Sequence, residues 1–268
     1  MKKIFFFLGI IIFFSSCMSS APANMEGGFP VFAELSIRER WESGHVVAGP
    51  QDGTLVVIGV ANRLVRREDE IEVARNYAAQ KVAMFHGMWG IVETIERVGE
   101  TIIDDIFNSR IRLGHTVDYA QFIDQLQFDP EHDVLVINEG TLVRFRYTAS
   151  VALVNFVGTI GTDGRPNWLY SRNLPEVAGY TIVVGISQQQ ILLRDTIMKS
   201  AQATVARIIE LMNVTITEDT VETEHGPISL RTSRSEGRVD NFRILEFWIE
   251  PGSGNVHALG IAKLVDYR

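Results

Sequence analysis

The chain has 268 residues, with 25 basic and 33 acidic side chains and a formal net charge of −8 at pH 7. This balance argues against nucleic acid as a partner, because nucleic-acid-binding proteins need a basic surface that displaces counterions from phosphates. The one cysteine excludes an internal disulfide. The length suits one large domain or two small ones.

The amino terminus has the pattern of a bacterial export signal. Lys2 and Lys3 precede an apolar run from Ile4 to Phe14, and Ser15 and Ser16 follow it. The run is too short to cross a bilayer, which needs roughly 20 residues as a helix. We therefore predict that residues 1–16 are a signal peptide.

Cys17 is the predicted lipidation site. The segment Phe14 to Cys17 resembles a lipobox, in which small residues precede a cysteine that becomes acylated, with palmitate among the attached chains. An ordinary secreted protein with an incidental cysteine is the alternative. Residues 17–30 are rich in Ser, Ala, Pro and Gly, which predicts a flexible tether. By resemblance to sorted bacterial lipoproteins, Met18 in place of Asp favours an outer-membrane anchor with a periplasmic body.

The rest of the chain contains an internal repeat. The segments 55–84 and 181–210 align at one offset of 126, which superimposes Gly185 on Gly59. Trp41 and Trp168 open the two copies. The fold class expected from this repeat is α+β, with two tandem repeats at 31–150 and 163–268. Each would be a long amphipathic helix packed on a small, mainly antiparallel sheet.

Each copy begins with an apolar strand that ends in glycine, which favours a turn or close packing of the helix. Asp69 and Glu72 resemble a capping box at the start of the first helix. The apolar stripe of each helix predicts a core-facing surface. The two stripes comprise Ile71, Ala74, Ala78, Val82 and Phe85, and Ile197, Ala201, Val205, Ile208 and Met212.

Strand-like segments follow both helices. Residues 213–222 and 228–234 alternate in polarity around a Gly-Pro turn. Residues 116–128 are predicted to form an extra helix in the first copy. Hairpins at 134–147 and 244–264 are predicted to close the two copies.

These residues carry a family resemblance. The order of Trp168, a strand ending in Val184 to Ser187, an alanine-bearing helix and a hairpin ending in Val256 to Gly260 resembles the twenty-kilodalton outer-membrane lipoprotein family (Lpp-twenty type). That family is related in fold to the N-terminal domain of flagellar assembly protein T. The resemblance implies a helix on a small antiparallel sheet in an envelope lipoprotein, some of whose relatives build rings around the flagellar base. It implies no catalytic residue and no cofactor.

Candidates for chemistry are few. The six histidines have no metal-binding spacing. The densest polar clusters are Glu131 to Asp133 and Glu222 to His225, which suit solvated loops better than a metal site. Asp104 with Asp105, and Asp118 with Asp124, could form carboxylate pairs, but adjacent acids on a strand face opposite sides. We predict no catalytic, cofactor-binding or metal-binding residue.

Three functions remain open from the sequence. The first is a non-enzymatic envelope lipoprotein that acts through protein partners or self-assembly. The second is a periplasmic binding lipoprotein with a small-ligand site between the two repeats, since ligand sites favour such interfaces. The third is an enzyme. An apolar pocket with converging polar side chains between the repeats would favour the second.

Overall fold

A computed structural model describes residues 38, 41, 45–47, 50–51, 54–98, 103–149, 160–161, 163–170, 174, 176–224 and 226–265. The predictions of a signal peptide, a lipidated Cys17 and a tether fall on residues outside this part. So do residues 150–159, where most of the predicted domain boundary lies. The boundary itself therefore stays a prediction.

Eleven strands and two α-helices have their full length within the described residues, and residues 38 and 41 are also helical. The helices are α1 (Arg67–His86) and α2 (Leu193–Glu210), and short 3-10 helices span Tyr119–Gln125 and Asn167–Leu169. The strands are β1 (His45–Val47), β2 (Pro50–Gln51), β3 (Thr54–Asn62), β4 (Met88–Val98), β5 (Ile103–His115), β6 (Val134–Val136), β7 (Gly140–Thr148), β8 (Thr181–Ser187), β9 (Asn213–Thr223), β10 (Gly226–Ile249) and β11 (Val256–Val265).

Strand β10 is the centre of the larger sheet. Its first half pairs with β9 on one edge and β4 on the other, and its second half pairs with β11 and β1. The hydrogen-bonded order is β5-β4-β10-β11-β8, and all pairings are antiparallel. A smaller sheet has the order β2-β3-β7-β6. The two sheets share one buried cluster, which contains Ile58 and Leu142 of the smaller sheet and Phe247 of β10.

The structure is α+β, but the prediction of two tandem helix-on-sheet repeats is wrong. Strand β4, from the first half of the chain, pairs with residues 229–239 of β10 in the second half. The hairpin β4–β5 therefore belongs to the sheet built around β10 of the second half, and not to the smaller sheet that contains β3 and β7. The physical reason is the free edge of β10 opposite β9, since an unpaired edge offers a full row of backbone donors and acceptors. Alternating polarity predicts strands without showing which strands pair.

The local predictions within this frame mostly hold. Strands β6, β7, β9 and β11 occur where the patterns predicted strands, whereas β10 is one continuous strand that joins the predicted strand at 228–234 to the first strand of the predicted hairpin at 244–264. The predicted helix at 116–128 is a shorter 3-10 helix. The predicted capping box is absent, because α1 begins at Arg67 and its N-cap, Arg66, forms no side-chain capping bond.

Both helices pack closely on a strand, which is one of the two alternatives that the glycines left open. A Cβ on Gly59 would lie 2.2 Å from the Ala74 carbonyl oxygen, and one on Gly185 would lie 2.3 Å from the Thr204 backbone nitrogen. Neither glycine has a positive φ, so close contact requires them and a turn does not. Ala74, Ala78 and Val82 of the first stripe are fully buried, as are Val205 and Ile208 of the second.

Candidate ligand-binding site

Of the polar clusters singled out in the sequence, the one from Glu131 to Asp133 contains a structural ion pair. Asp133 is fully buried and accepts hydrogen bonds from Arg144, at 2.6 Å, and from Arg146. Burial alone would raise the pKa of Asp133, but the Asp129 backbone N–H and the two guanidinium groups hold it below its ordinary value. Because the Asp133 carboxylate is already paired with two arginines, it is not available as a metal ligand.

The neighbouring residues lie in a solvated turn. His132 Nδ1 lies 2.9 Å from Asp129 Oδ2, with both side chains largely exposed. Glu131 and Glu224 are exposed, and His225 is outside the described residues.

Asp118 accepts a hydrogen bond from the Ala120 backbone N–H and so caps the 3-10 helix. Within the described ranges, no group of three His, Cys, Asp or Glu side chains could hold a metal ion.

The structure does form an apolar cavity between the two helices. Its volume is about 190 Å³, and β3, β4, β5 and β10 complete its walls. Helix α1 contributes Tyr77, Gln80, Lys81 and Met84, and α2 contributes Met198, Ala201 and Gln202. An apolar cavity of about 150 Å³ holds a benzene-sized molecule. This cavity therefore has room for a single ring or a short alkyl chain.

Helical periodicity explains why these side chains converge. Tyr77, Lys81 and Met84 recur at spacings of four and three, which places them on one face of α1. The core stripe of Ala74, Ala78 and Val82 occupies the adjacent face and packs on the smaller sheet. On α2, Met198, Ala201 and Gln202 are related by the same spacings. Helix α1 therefore has a sheet-facing side and a cavity-facing side.

Lys81 is the notable polar group of the cavity. Its ammonium donates a hydrogen bond of 2.7 Å to the Ile58 carbonyl oxygen. It also lies 4.4 Å from the Tyr77 ring centroid and 4.9 Å from that of Phe247. Burial lowers the pKa of Lys81 to about 7. The amine is therefore divided between charged and neutral forms near neutral pH.

Tyr77 lies beside Lys81, and its pKa is shifted as well. Burial raises the pKa of the Tyr77 phenol, and Arg194 and Asp195 at the start of α2 act on it in opposite directions. The phenol is neutral across the physiological range and can accept or donate a hydrogen bond. The cavity thus combines apolar walls with the Lys81 amine, the Tyr77 phenol, the amides of Gln80 and Gln202, and the charged or titratable side chains of Arg243 and His115.

Sequence reasoning missed Lys81 and Tyr77. The spacing that relates them was visible, but a lysine on an amphipathic helix is usually solvent-facing. The face of α1 that carries Tyr77 and Lys81 is enclosed because β10 and α2 pack on the side of the helix opposite the smaller sheet. The pairing of β4 with β10, which the local pattern did not reveal, is part of that enclosure.

Comparison with protein-family models, with curated proteins and with solved structures gives no match. The family resemblance of the sequence therefore stays an expectation. Across the described part of the chain, neither helix combines the length and the apolar character that a membrane span requires.

Proposed function

We propose that this protein is a lipid-anchored, non-enzymatic protein of the bacterial cell envelope whose folded body binds a small apolar molecule. The cavity between α1 and α2 carries the proposal, because concave apolar sites with a few polar groups are the usual binding sites for small ligands. Three methionines, Met84, Met88 and Met198, line it and give it adaptable walls.

The anchoring part of the proposal rests on the amino-terminal sequence. A multiply acylated Cys17 would hold the protein at the outer membrane, since several acyl chains anchor stably and one does not. Wild-type protein made in a bacterial host should partition into the detergent phase. Cys17→Ser should partition into the aqueous phase, and aqueous wild-type protein without acyl chains would remove the anchor from the proposal.

The binding part is tested with small apolar probes. Benzyl alcohol and 1-hexanol should raise the melting temperature of the chain from residue 18 onward, and the rise should grow with probe concentration. Met198→Trp fills the cavity and should abolish the rise. Leu211→Trp changes a 61 % exposed side chain just after α2 and serves as the control.

Two outcomes would count against the site. One is that neither probe shifts the melting temperature of wild-type protein. The other is that both variants respond to the probes as wild type does. If Met198→Trp fails to fold, Met84→Phe offers a smaller filling change in the same cavity.

Assembly through protein partners is a second candidate function. The hairpins β4–β5 and β9–β10 form a four-stranded sheet in which every described side chain from Val214 to Val221 is exposed. Among the described strands, β9 pairs only with β10, and β5 only with β4. Open edges of this kind can pair with another chain. Ile216→Lys should then reduce any oligomer seen by light scattering, whereas a monomeric wild type would dismiss this candidate.

A further inference from the structure

The cavity contains an incompletely paired amine. A lysine ammonium carries three N–H donors, and Lys81 uses one of them on the Ile58 carbonyl oxygen. No other hydrogen bond and no carboxylate within 4.0 Å is found for Lys81 in the described ranges of the chain. An amine that is largely removed from water without an acidic partner is costly, and Lys81 is partly buried. A site that keeps one has unused capacity for an anion.

The charged groups around the cavity do not supply that anion. On β10, Phe242 and Ile244 line the cavity together with Arg243, a second cation, whose guanidinium lies 5.5 Å from the Tyr180 ring. His115 lines the cavity from β5, and Arg194 and Asp195 of α2 act on Tyr77. Burial is the one cause that displaces the pKa of Lys81. Since no carboxylate of the described residues lies within 4.0 Å of the Lys81 ammonium, the amine has no counter-ion in this part of the chain.

We infer that the ligand is a small monocarboxylate whose apolar body fills the cavity and whose head pairs with Lys81. The inference rests on the proposed binding function and names the ligand class of the same site. A carboxylate supplies the negative charge that Lys81 lacks among the described residues, and the cavity of about 190 Å³ accepts a body of ring or short-chain size. Tyr77 can add a hydrogen bond to the second carboxylate oxygen.

The test compares carboxylates with neutral molecules of the same shape. Calorimetric titration at pH 6 uses benzoate against benzyl alcohol and hexanoate against 1-hexanol. Wild type should bind each carboxylate at least tenfold more tightly than its alcohol, because a charge-assisted pair in an apolar site outweighs a neutral hydrogen bond. Lys81→Met should lose this preference and still bind the alcohols.

Two variants serve as controls. Arg207 lies 126 residues after Lys81, at the equivalent position of α2, and its side chain is exposed. Arg207→Met removes a cation from the repeat without touching the cavity and should keep the wild-type preference. Lys81→Arg keeps the charge and should retain the preference for carboxylates at reduced affinity.

The outcomes separate this inference from the proposed function. Equal binding of alcohol and carboxylate to wild type would leave the binding function in place and refute the inference. Failure of all four probes to bind would refute both. Retention of the carboxylate preference in Lys81→Met would also refute the inference.

A measurement on wild-type protein covers the case in which Lys81→Met does not fold. Lysines can be dimethylated with ¹³C-formaldehyde, and the Lys81 resonance can be titrated with and without benzoate. Pairing with an anion favours the ammonium, so benzoate should raise the pKa of Lys81 by at least one unit. An unchanged titration in a sample saturated with benzoate would contradict the pairing.

Discussion

The two strand–loop–helix segments share a backbone arrangement and differ in the chemistry that supports it. In the first, the fully buried Glu70 accepts a hydrogen bond of 2.9 Å from the Leu64 backbone N–H. In the second, Thr196 accepts one of 3.0 Å from the Gln190 backbone N–H. Both pairs are related by the offset of 126. The loop before each helix is thus secured at the same place, once by a charge and once by a hydroxyl.

The same comparison locates the ligand site. Lys81 on α1 faces the cavity, whereas its counterpart Arg207 on α2 is exposed. Helix α1 lies between the smaller sheet and the elements around β10, so two of its faces are covered. Helix α2 shares a buried cluster with both sheets and also lines the cavity, but its Arg207 is exposed. The close contact between a glycine-bearing strand and its helix is therefore common to both halves. The candidate ligand site depends on Lys81 of α1, whose counterpart on α2 is exposed.

The largest effect is expected from separating the halves. A chain starting at Gly164 keeps β8 to β11 and loses β4 and β1, which pair along one edge of β10. It also loses α1, which packs against β10. We expect this fragment to show no cooperative melt while the chain from residue 18 onward melts in one transition. A fragment melting near the temperature of the longer chain would support two independent domains at 31–150 and 163–268.

The sequence predicted what is decided within one element and missed what is decided between elements. Gly59 and Gly185, the helix stripes and the closing hairpins follow from periodicity and glycine placement. The pairing of β4 with β10 involves residues more than 130 positions apart in the chain, and no local pattern encodes it. The enclosure of Lys81 depends on that pairing, so the candidate site could not be found either.

The next effect concerns the shared glycines. Gly59→Ala and Gly185→Ala would each place a Cβ within 2.3 Å of helix backbone atoms. Because backbone cannot move aside as a flexible side chain can, each should lower the free energy of unfolding by about 3 kcal/mol, the upper range for overpacking. Chemical denaturation measures this. Gly252→Asn, at an open turn with φ +85, is the control. A large difference between the two alanine variants would break the equivalence of the halves.

Removing the loop anchors should have unequal effects. Glu70→Ala leaves the Leu64 N–H and Thr141 without their acceptor and breaks the 3.0 Å pair with Arg67. We expect a loss of about 3 kcal/mol, as for a broken buried pair. Thr196→Ala removes a neutral bond and should cost about 1 kcal/mol. Similar losses in urea denaturation would mean that the Glu70 charge adds nothing to the hydrogen bond.

Acid should remove the stability that the Glu70 charge provides. Burial alone would raise the pKa of Glu70, but its bonds from Thr141, the Leu64 N–H and Arg67 hold it below the ordinary value of 4.5. Such a group contributes stability above pH 4.5 that is lost as the pH falls through the folded pKa. Wild type should therefore lose more stability than Glu70→Gln between pH 4.5 and its folded pKa, as measured by denaturation at each pH. Parallel pH profiles would contradict this assignment.

The smallest effect concerns Lys81 itself and separates its charge from its packing. Its pKa is lowered from 10.5 to about 7 in the folded protein, so between these values the unfolded chain binds more protons. The free energy of unfolding of wild type should accordingly rise with pH in this window, by about 0.5–1 kcal/mol per pH unit once partial exposure is allowed for. Lys81→Met should lack this rise. Arg207→Met should keep the wild-type slope. Denaturation between pH 7 and 9.5 avoids the titration of Tyr77, whose raised pKa acts with the opposite sign at higher pH. Since Lys81→Met also leaves the Ile58 carbonyl without its donor, its absolute stability mixes two effects, and the slope alone reports the buried charge. Equal slopes in wild type and Lys81→Met would mean that water reaches the amine freely, and that α1 has no enclosed cationic face to distinguish it from α2.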